Sequence, residues 1–296
     1  MILKFNNVSK TYTNKKVVDN ISFEINKPCI FGFLGTNGAG KTTSIRMLLG
    51  IIKKDAGEIT LNGKPITRNN TNFGYMPEER GLYPRITIYN QLMYFSELRG
   101  ISKKDADTSI KYWLNKLNMM EYINTEAEKL SKGNQQKIQF ILAVINNPDL
   151  IVLDEPFSGL DPVNTEMLKN IILELVEKDK YIIMSSHGMN QIEEFCSDIL
   201  ILDKGKSVLQ GNLKEIKDSY EVKEVEITVN ENIDKYLNEL KLKDYTNIDN
   251  NYIIKINSQE EGFKIFNLLV KNKIEIIKFE LKKPSLNDIF IERVGK

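Results

Sequence analysis

Apolar side chains recur along this chain in short blocks and in longer stretches with helical spacing, and the two alternate. Residues 2–8 and 17–25 alternate or cluster apolar positions as short strands do, with Asp19 and Asn20 supplying turn chemistry. From Cys29 to Leu34 the run predicts a buried strand, followed by a glycine-rich turn and an apolar helix from Thr42 to Leu49. Strand, glycine loop and helix in that order open an α/β sheet.

Between Thr87 and about Asn146 the period becomes helical. Ile88, Leu92, Phe95 and Leu98 recur at helix spacing, and Tyr112, Leu114 and Leu117 continue the pattern. Ser131 stands where an N-cap belongs, and Pro148 marks where the following helix has already stopped. Two further buried-strand runs follow, Leu150 to Leu153 and Tyr181 to Ser185. Between them a helix opens at Asp161 and Pro162, a capping acid followed by proline in the first turn. A strand from Ile199 to Leu202 ends in a Lys204-Gly205 turn. The predicted fold class is thus α/β: a domain over residues 1–217 whose sheet receives a helical subdomain at about 87–146.

Residues 218–296 change character. A strand over 224–229, an amphipathic stretch at 233–241, a strand over 252–256, a helix over 259–271, a strand over 274–281 and a closing helix over 285–294 predict a small α/β domain. It carries no glycine loop and no cluster of reactive side chains.

Composition narrows the function. A chain of 296 residues suits one large domain with an appendage. With 41 basic and 40 acidic side chains the net charge is +1, so there is no electrostatic case for nucleic acid and none is expected as a partner. Cys29 and Cys196 are too few for a disulfide framework, suggest a reducing compartment and read as small apolar core residues. No apolar run approaches the roughly 18 residues that span a bilayer. Lys4 interrupts the first apolar stretch, no cleavage site follows it, and a signal peptide is not expected. A membrane role would therefore come through a partner.

The chemistry concentrates in three places. Gly35, Thr36, Asn37, Gly38, Ala39, Gly40, Lys41 and Thr42, followed by Thr43, match G-x-x-x-x-G-K-[ST] between a predicted strand and helix. Glycines let successive N–H groups curl round phosphate oxygens, and the helix N-terminus adds partial positive charge. Lys41 is expected to reach the β and γ phosphates of ATP and Thr42 to ligate Mg²⁺. Asp154 and Glu155 close the 150–153 strand: Asp154 is expected in the Mg²⁺ shell and Glu155 as the general base that polarises water. His187, the single histidine, follows a buried strand, where an α/β sheet places ligand-facing residues; it is expected to contact the γ-phosphate.

With those sites located, residues 2–215 resemble an ABC ATPase, a P-loop NTPase with a mixed sheet. Tyr12 resembles the aromatic that stacks on adenine, though a strand-ending tyrosine also suits plain surface. Leu130 to Lys137, with Ser131, Lys132, Gly133 and Asn134, resembles the signature motif that caps ATP held by an opposite protomer. Ser158 to Asp161 resembles the loop that crosses the dimer seam. The resemblance implies two ATPs sandwiched in a homodimer or pseudo-dimer. Glu78 stands where the family usually has a glutamine; a carboxylate can still accept from Mg²⁺-bound water. Lys132 and Asn134 replace a glycine and a glutamine, and Lys132 either faces the trans phosphate or points to solvent.

The strings GYMPEERGLYP and LSKGNQQK are similar to those of ATP-binding subunits of ABC-2-type exporters, including NatA-like ones, as is the closing segment from Pro284. That branch implies an ATPase at the inner face of the bacterial cell membrane, driving a separately encoded membrane-spanning permease. A docking surface is expected around Glu78 to Tyr94, where Tyr83, Tyr89 and Tyr94 are expected both to pack the subdomain's own core and to leave at least one of them exposed. The competing function is a soluble ABC ATPase acting on ribosomes or DNA. It fits less well with one cassette, no sustained heptads and net charge +1.

Overall fold

The computed structural model describes residues 1–66, 71–79, 81–186 and 188–294. The chain divides into two compact units, Met1–Gly211 and Asn212–Lys296. The division precedes the helix Leu213–Asp218, against an expected boundary near residue 217.

In the first unit, β1 (Leu3–Tyr12) and β2 (Lys15–Ile25) form an antiparallel hairpin. Its turn is at Thr13 and Asn14, with Tyr12 paired to Lys15, and not at Asp19-Asn20. Asn20 adopts φ 56° inside β2 at an irregularity of the ladder, and its N–H donates to Ser9 Oγ at 2.9 Å. Asparagine tolerates the left-handed region in turns and bulges alike, so the same sequence signal serves both. β3 (Ile30–Gly35) and α1 (Lys41–Leu48) follow. Next come β4 (Ala56–Leu61), β5 (Lys64–Pro65) and β6 (Phe73–Met76), none of which was anticipated as a strand.

The helical subdomain contains α2 (Ile88–Leu98), α3 (Lys103–Lys116) and α4 (Lys132–Val144). Ile88 and Leu92 are buried in α2, whereas Leu98 is exposed, as is Tyr112 in α3. The core resumes with β7 (Leu150–Asp154), α5 (Pro162–Glu177), β8 (Tyr181–Ser185), α6 (Met189–Phe195), β9 (Asp198–Asp203) and β10 (Lys206–Asn212).

Two sheets result, in the orders β2-β1-β4-β5 and β10-β9-β3-β8-β7-β6. In the larger one β3, β6, β7, β8 and β9 run parallel. Every residue of β3, β7 and β8 is buried, as expected of parallel strands covered on both faces. The sheets share one core with α1, in which Phe5 stacks on Phe23 and Phe23 on Phe31 at ring separations of 4.4 and 5.0 Å. That core brings the glycine turn after β3 over the C-terminal ends of the parallel strands, the edge at which such sheets hold ligands.

The second unit comprises α7 (Leu213–Asp218), β11 (Glu224–Val229), α8 (Asp234–Glu239), β12 (Tyr245–Ile248), β13 (Asn251–Lys255), α9 (Gln259–Lys271), β14 (Ile276–Lys282) and α10 (Leu286–Val294). Its sheet is antiparallel in the order β12-β13-β11-β14, so β11 to β14 make a split βαββαβ motif. Val225, Ile227, Tyr252 and Ile254 pack inward against Ile265 and Leu269 of α9.

Candidate functional site

The glycine turn is held in shape by backbone that only glycine can adopt at two positions. Gly35 has φ 149°, and a Cβ there would lie 2.4 Å from the Leu202 carbonyl oxygen. Gly40, the N-cap of α1, has φ 103°, and a Cβ would lie 2.6 Å from the Val17 carbonyl. Ala39 N–H donates to Thr36 at 3.1 Å, while the Ala39 carbonyl accepts from Gly205 at 3.0 Å. The Lys204-Gly205 turn therefore braces the loop from below. Thr36, Asn37 and Gly38 are exposed at its crown.

Lys41 is buried, and its ammonium donates to the carbonyls of Gly35 (2.6 Å) and Thr36 (3.2 Å). Burial pushes its pKa down, while the charges of Glu155, Asp154 and Glu78 act in the opposite direction. A cleft of about 290 Å³ opens beside it, lined by Val17, Asn37 to Thr43, Glu78 and Asp154. Asp154 ends β7 directly opposite Ser185 of β8, whose hydroxyl donates to its Oδ1. Thr42, Glu78 and Asp154 thus converge on one cleft. Their oxygen donors, a hydroxyl and carboxylates, suit a hard cation such as Mg²⁺, which takes one or two carboxylates and completes its shell from phosphates and water.

Glu155 follows with φ 52°, a left-handed conformation that costs a non-glycine residue about 1–3 kcal/mol and persists only when its surroundings enforce it. Its N–H donates to Ser185 at 3.0 Å, and Ser186 Oγ donates to its Oε2 at 3.3 Å. Glu155 does not line the cleft, yet its charge is the largest carboxylate influence on Lys41. Tyr75, on the neighbouring strand β6, has its phenol pushed up to about 12 by burial first and by Asp154 second. His187 lies outside the described residues.

The remaining expected positions stand apart from the cleft. Ser131 N-caps α4 and accepts from Asn134 N–H at 3.2 Å; Lys132 is exposed beside it. Gly133 faces the Gly159 carbonyl and Leu160, so the start of α4 abuts the 158–161 loop. Asp161 caps α5, accepts from Asn164 N–H at 2.9 Å, and is held below the usual carboxylate range chiefly by that bond. Tyr12 is 46% exposed, with Lys10 Nζ 5.3 Å from its ring centroid. Among the described residues, none of Tyr12, Ser131, Lys132, Gly133, Asn134 or Asp161 lines the Lys41 cleft.

Several contributors escaped sequence reasoning. Ser185 and Val17 had no motif to mark them, and Tyr75 stood inside GYMPEERGLYP without a role of its own. Gln136 and Gln139 look like the polar face of α4 but are buried, at 1% and 3% exposure. Gly74 sits inside the unanticipated strand β6: a Cβ there would fall 1.8 Å from the Ala143 carbonyl, so α4 lies directly on β6. No described helix is long and apolar enough to cross a membrane.

The family described as ABC transporter matches residues 18–158, and a second, ATP-binding protein DrrA1-3-like, C-terminal domain, matches residues 211–294. The uncharacterized ABC transporter ATP-binding protein YhaQ of Bacillus subtilis (strain 168) is 43% identical over 99% of this chain and 99% of its own length. The lipopolysaccharide export system ATP-binding protein LptB of Haemophilus influenzae is 30% identical over 76% of this chain and 96% of its own. A solved structure described as an ATP binding subunit of an ABC transporter superposes with a TM-score of 0.68 at 27% identity, covering 74% of this chain and 93% of that one. The chain belongs to the ABC transporter ATP-binding proteins: it is an ATPase subunit with an ABC cassette followed by a DrrA1-3-like C-terminal domain.

Proposed function

We propose that this chain is the motor of an ABC-2-type exporter, working as a dimer that sandwiches two ATPs and drives a separate membrane-spanning subunit from the cytoplasmic face. The observation that carries the dimer is the separation of Ser131 from the cleft beside Lys41. A signature hydroxyl at the N-terminus of α4 that does not line its own chain's phosphate cleft supports a site completed by a second copy.

In this mechanism the loop over Gly35 to Thr43 cradles the phosphates through its N–H groups, and Lys41 turns from its own loop carbonyls to the γ-phosphate. Thr42 and Asp154 would hold Mg²⁺, with Glu78 facing its water shell; the ion supplies charge neutralisation at the phosphates. Glu155 accepts the proton of the attacking water, Tyr12 stacks on adenine, and His187 contacts the departing phosphate. From the second copy, Ser131, Lys132, Gly133 and Asn134 cap the nucleotide, and Asp161 crosses the seam.

Export is supported by the C-terminal DrrA1-3-like match and by the export system to which the Haemophilus influenzae relative belongs. The permease is read as docking on the helical subdomain. Tyr83 and Tyr94 are about half exposed there, Leu98 is 64% exposed, and Phe95 stacks on Tyr83 at 6.1 Å. Tyr89 instead donates to Asp107 within the subdomain.

The test is light scattering of Glu155→Gln with ATP and Mg²⁺, where slowed hydrolysis should trap a dimer. A monomer at saturating ATP overturns the sandwich. Affinity purification from membranes should recover a multispanning protein; recovery of ribosomes or DNA instead favours the soluble alternative.

A further inference from the structure

We propose that Gln136 is a positioning residue for hydrolysis, through which α4 holds the Glu155 backbone and so aims its carboxylate. The inference rests on Glu155 being the general base.

Gln136 is 1% exposed, and a buried amide needs partners in kind. Its Nε2 donates to the Glu155 carbonyl at 2.9 Å and to the Pro156 carbonyl at 3.2 Å. The Glu155 carbonyl also accepts from Ser158 N–H at 3.2 Å, so both of its lone pairs have donors. On the other side of the residue, Glu155 N–H donates to Ser185. A left-handed Glu155 is thereby gripped at both flanking peptides. Relaxation to the extended basin, which the residue before Pro156 otherwise prefers, would turn Cβ and re-aim the carboxylate.

The same helix face has a second arm. Gln139, three residues on and 3% exposed, donates to the Glu79 carbonyl at 3.1 Å, next to Glu78 on the cleft wall. Two buried glutamines on α4 therefore tie down the two loops that bring carboxylates to the site. The helix that carries them begins at Ser131. A pull on that end, transmitted through a hydrogen-bonded helix, reaches the Glu155 carbonyl within about one and a half turns. Gln136 thus links the signature end of α4 to the carboxylate of its own chain's site.

The experiment uses the full chain with ATP and Mg²⁺, measuring kcat, KM and the binding of a fluorescent ATP analogue. Gln136→Met keeps the length and removes the donor; Gln136→Asn keeps the amide but shortens its reach. In each, kcat should fall by about 10- to 100-fold, the scale of a misplaced reacting group, while analogue affinity stays within about twofold. On a Glu155→Gln background, Gln136→Met should reduce the residual single-turnover rate by less than about threefold, because both changes act through one group.

Wild-type kcat in either variant that binds the analogue overturns the proposal. So does a loss on the Glu155→Gln background as large as in wild type, since Gln136 would then act elsewhere. Both outcomes leave the role of Glu155 standing. Wild-type turnover in Glu155→Gln alone removes that role and this inference together. Should one substitution prevent folding, as seen by lost analogue binding, the other decides the matter.

Discussion

The Lys41 ammonium donates to the carbonyl oxygen of Gly35, six residues back, at 2.6 Å. The side chain that is to meet phosphate therefore closes the loop on itself and keeps a buried cation satisfied. In the proposed binding mode, ATP would exchange these carbonyl oxygens for phosphate oxygens, leaving the ammonium paired at either stage. Lys41→Met preserves the stem and removes the charge. Hydrogen bonds to charged groups contribute about 1.5–3 kcal/mol, so ATP affinity by calorimetry should weaken about 10- to 150-fold. Unchanged affinity would contradict the placement of phosphate at this loop.

Gly38 and Gly40 both have positive φ, 78° and 103°, but their surroundings differ. A Cβ at Gly38 meets open space, whereas one at Gly40 collides with the Val17 backbone. Gly38→Ala should cost only the left-handed strain, about 1–2 kcal/mol. Gly40→Ala should cost more, because Val17 belongs to a paired strand and cannot retreat. Trp113, the single tryptophan, lies in the first unit, so its fluorescence during thermal unfolding reports the comparison. Equal losses would show that the hairpin yields to the added methyl.

In the proposed mechanism Glu155→Gln removes the base and leaves the shape. Loss of a general base slows turnover by about 10²–10⁴-fold, so kcat should fall on that scale with ATP binding retained. Phosphate release measured beside nucleotide affinity separates the two effects. A parallel loss of both would assign Glu155 to binding.

The parts of this fold legible in the sequence are those whose local signal and tertiary role coincide. The glycine loop, the largely apolar and fully buried strands β3, β7 and β8, and the caps Ser131 and Asp161 each declare themselves within a few residues. The strand β4 does not: its Gly57 has a backbone that lies against Asn6 and Asn7, and only Ile59 is fully buried. β12 is likewise a mostly exposed edge strand, with Ile248 72% exposed. At the site, the types of Lys41, Asp154 and Glu155 were readable because chemistry restricts them. The left-handed backbone of Glu155 and the burial of Gln136 were not, since both are set by partners in β8 and the 155–158 loop. Asn20 shows the converse, a correct local conformation assigned to the wrong structural role.

Glu226 offers a prediction independent of the nucleotide site. Its side chain, 13% exposed on β11, accepts from Lys278 at 3.0 Å and from Lys282, both on the adjacent strand β14. Those ammonium groups, Lys282 first, pull its pKa down from 4.5 to about 2. The sign follows from which state binds the proton more tightly. In the unfolded chain the carboxyl takes up a proton near 4.5, while the folded protein resists until about 2. The pair therefore stabilises the fold fully above pH 4.5, and that contribution disappears as the pH falls to about 2. Scanning calorimetry of the whole chain should show wild type melting above Glu226→Gln at pH 6, with the gap narrowing between pH 4.5 and 2. Because the pair borders solvent, the gap at pH 6 should also shrink in high salt. A gap that holds constant across the acid range would mean that Glu226 contributes by packing, and that its lysine partners do not grip the charge.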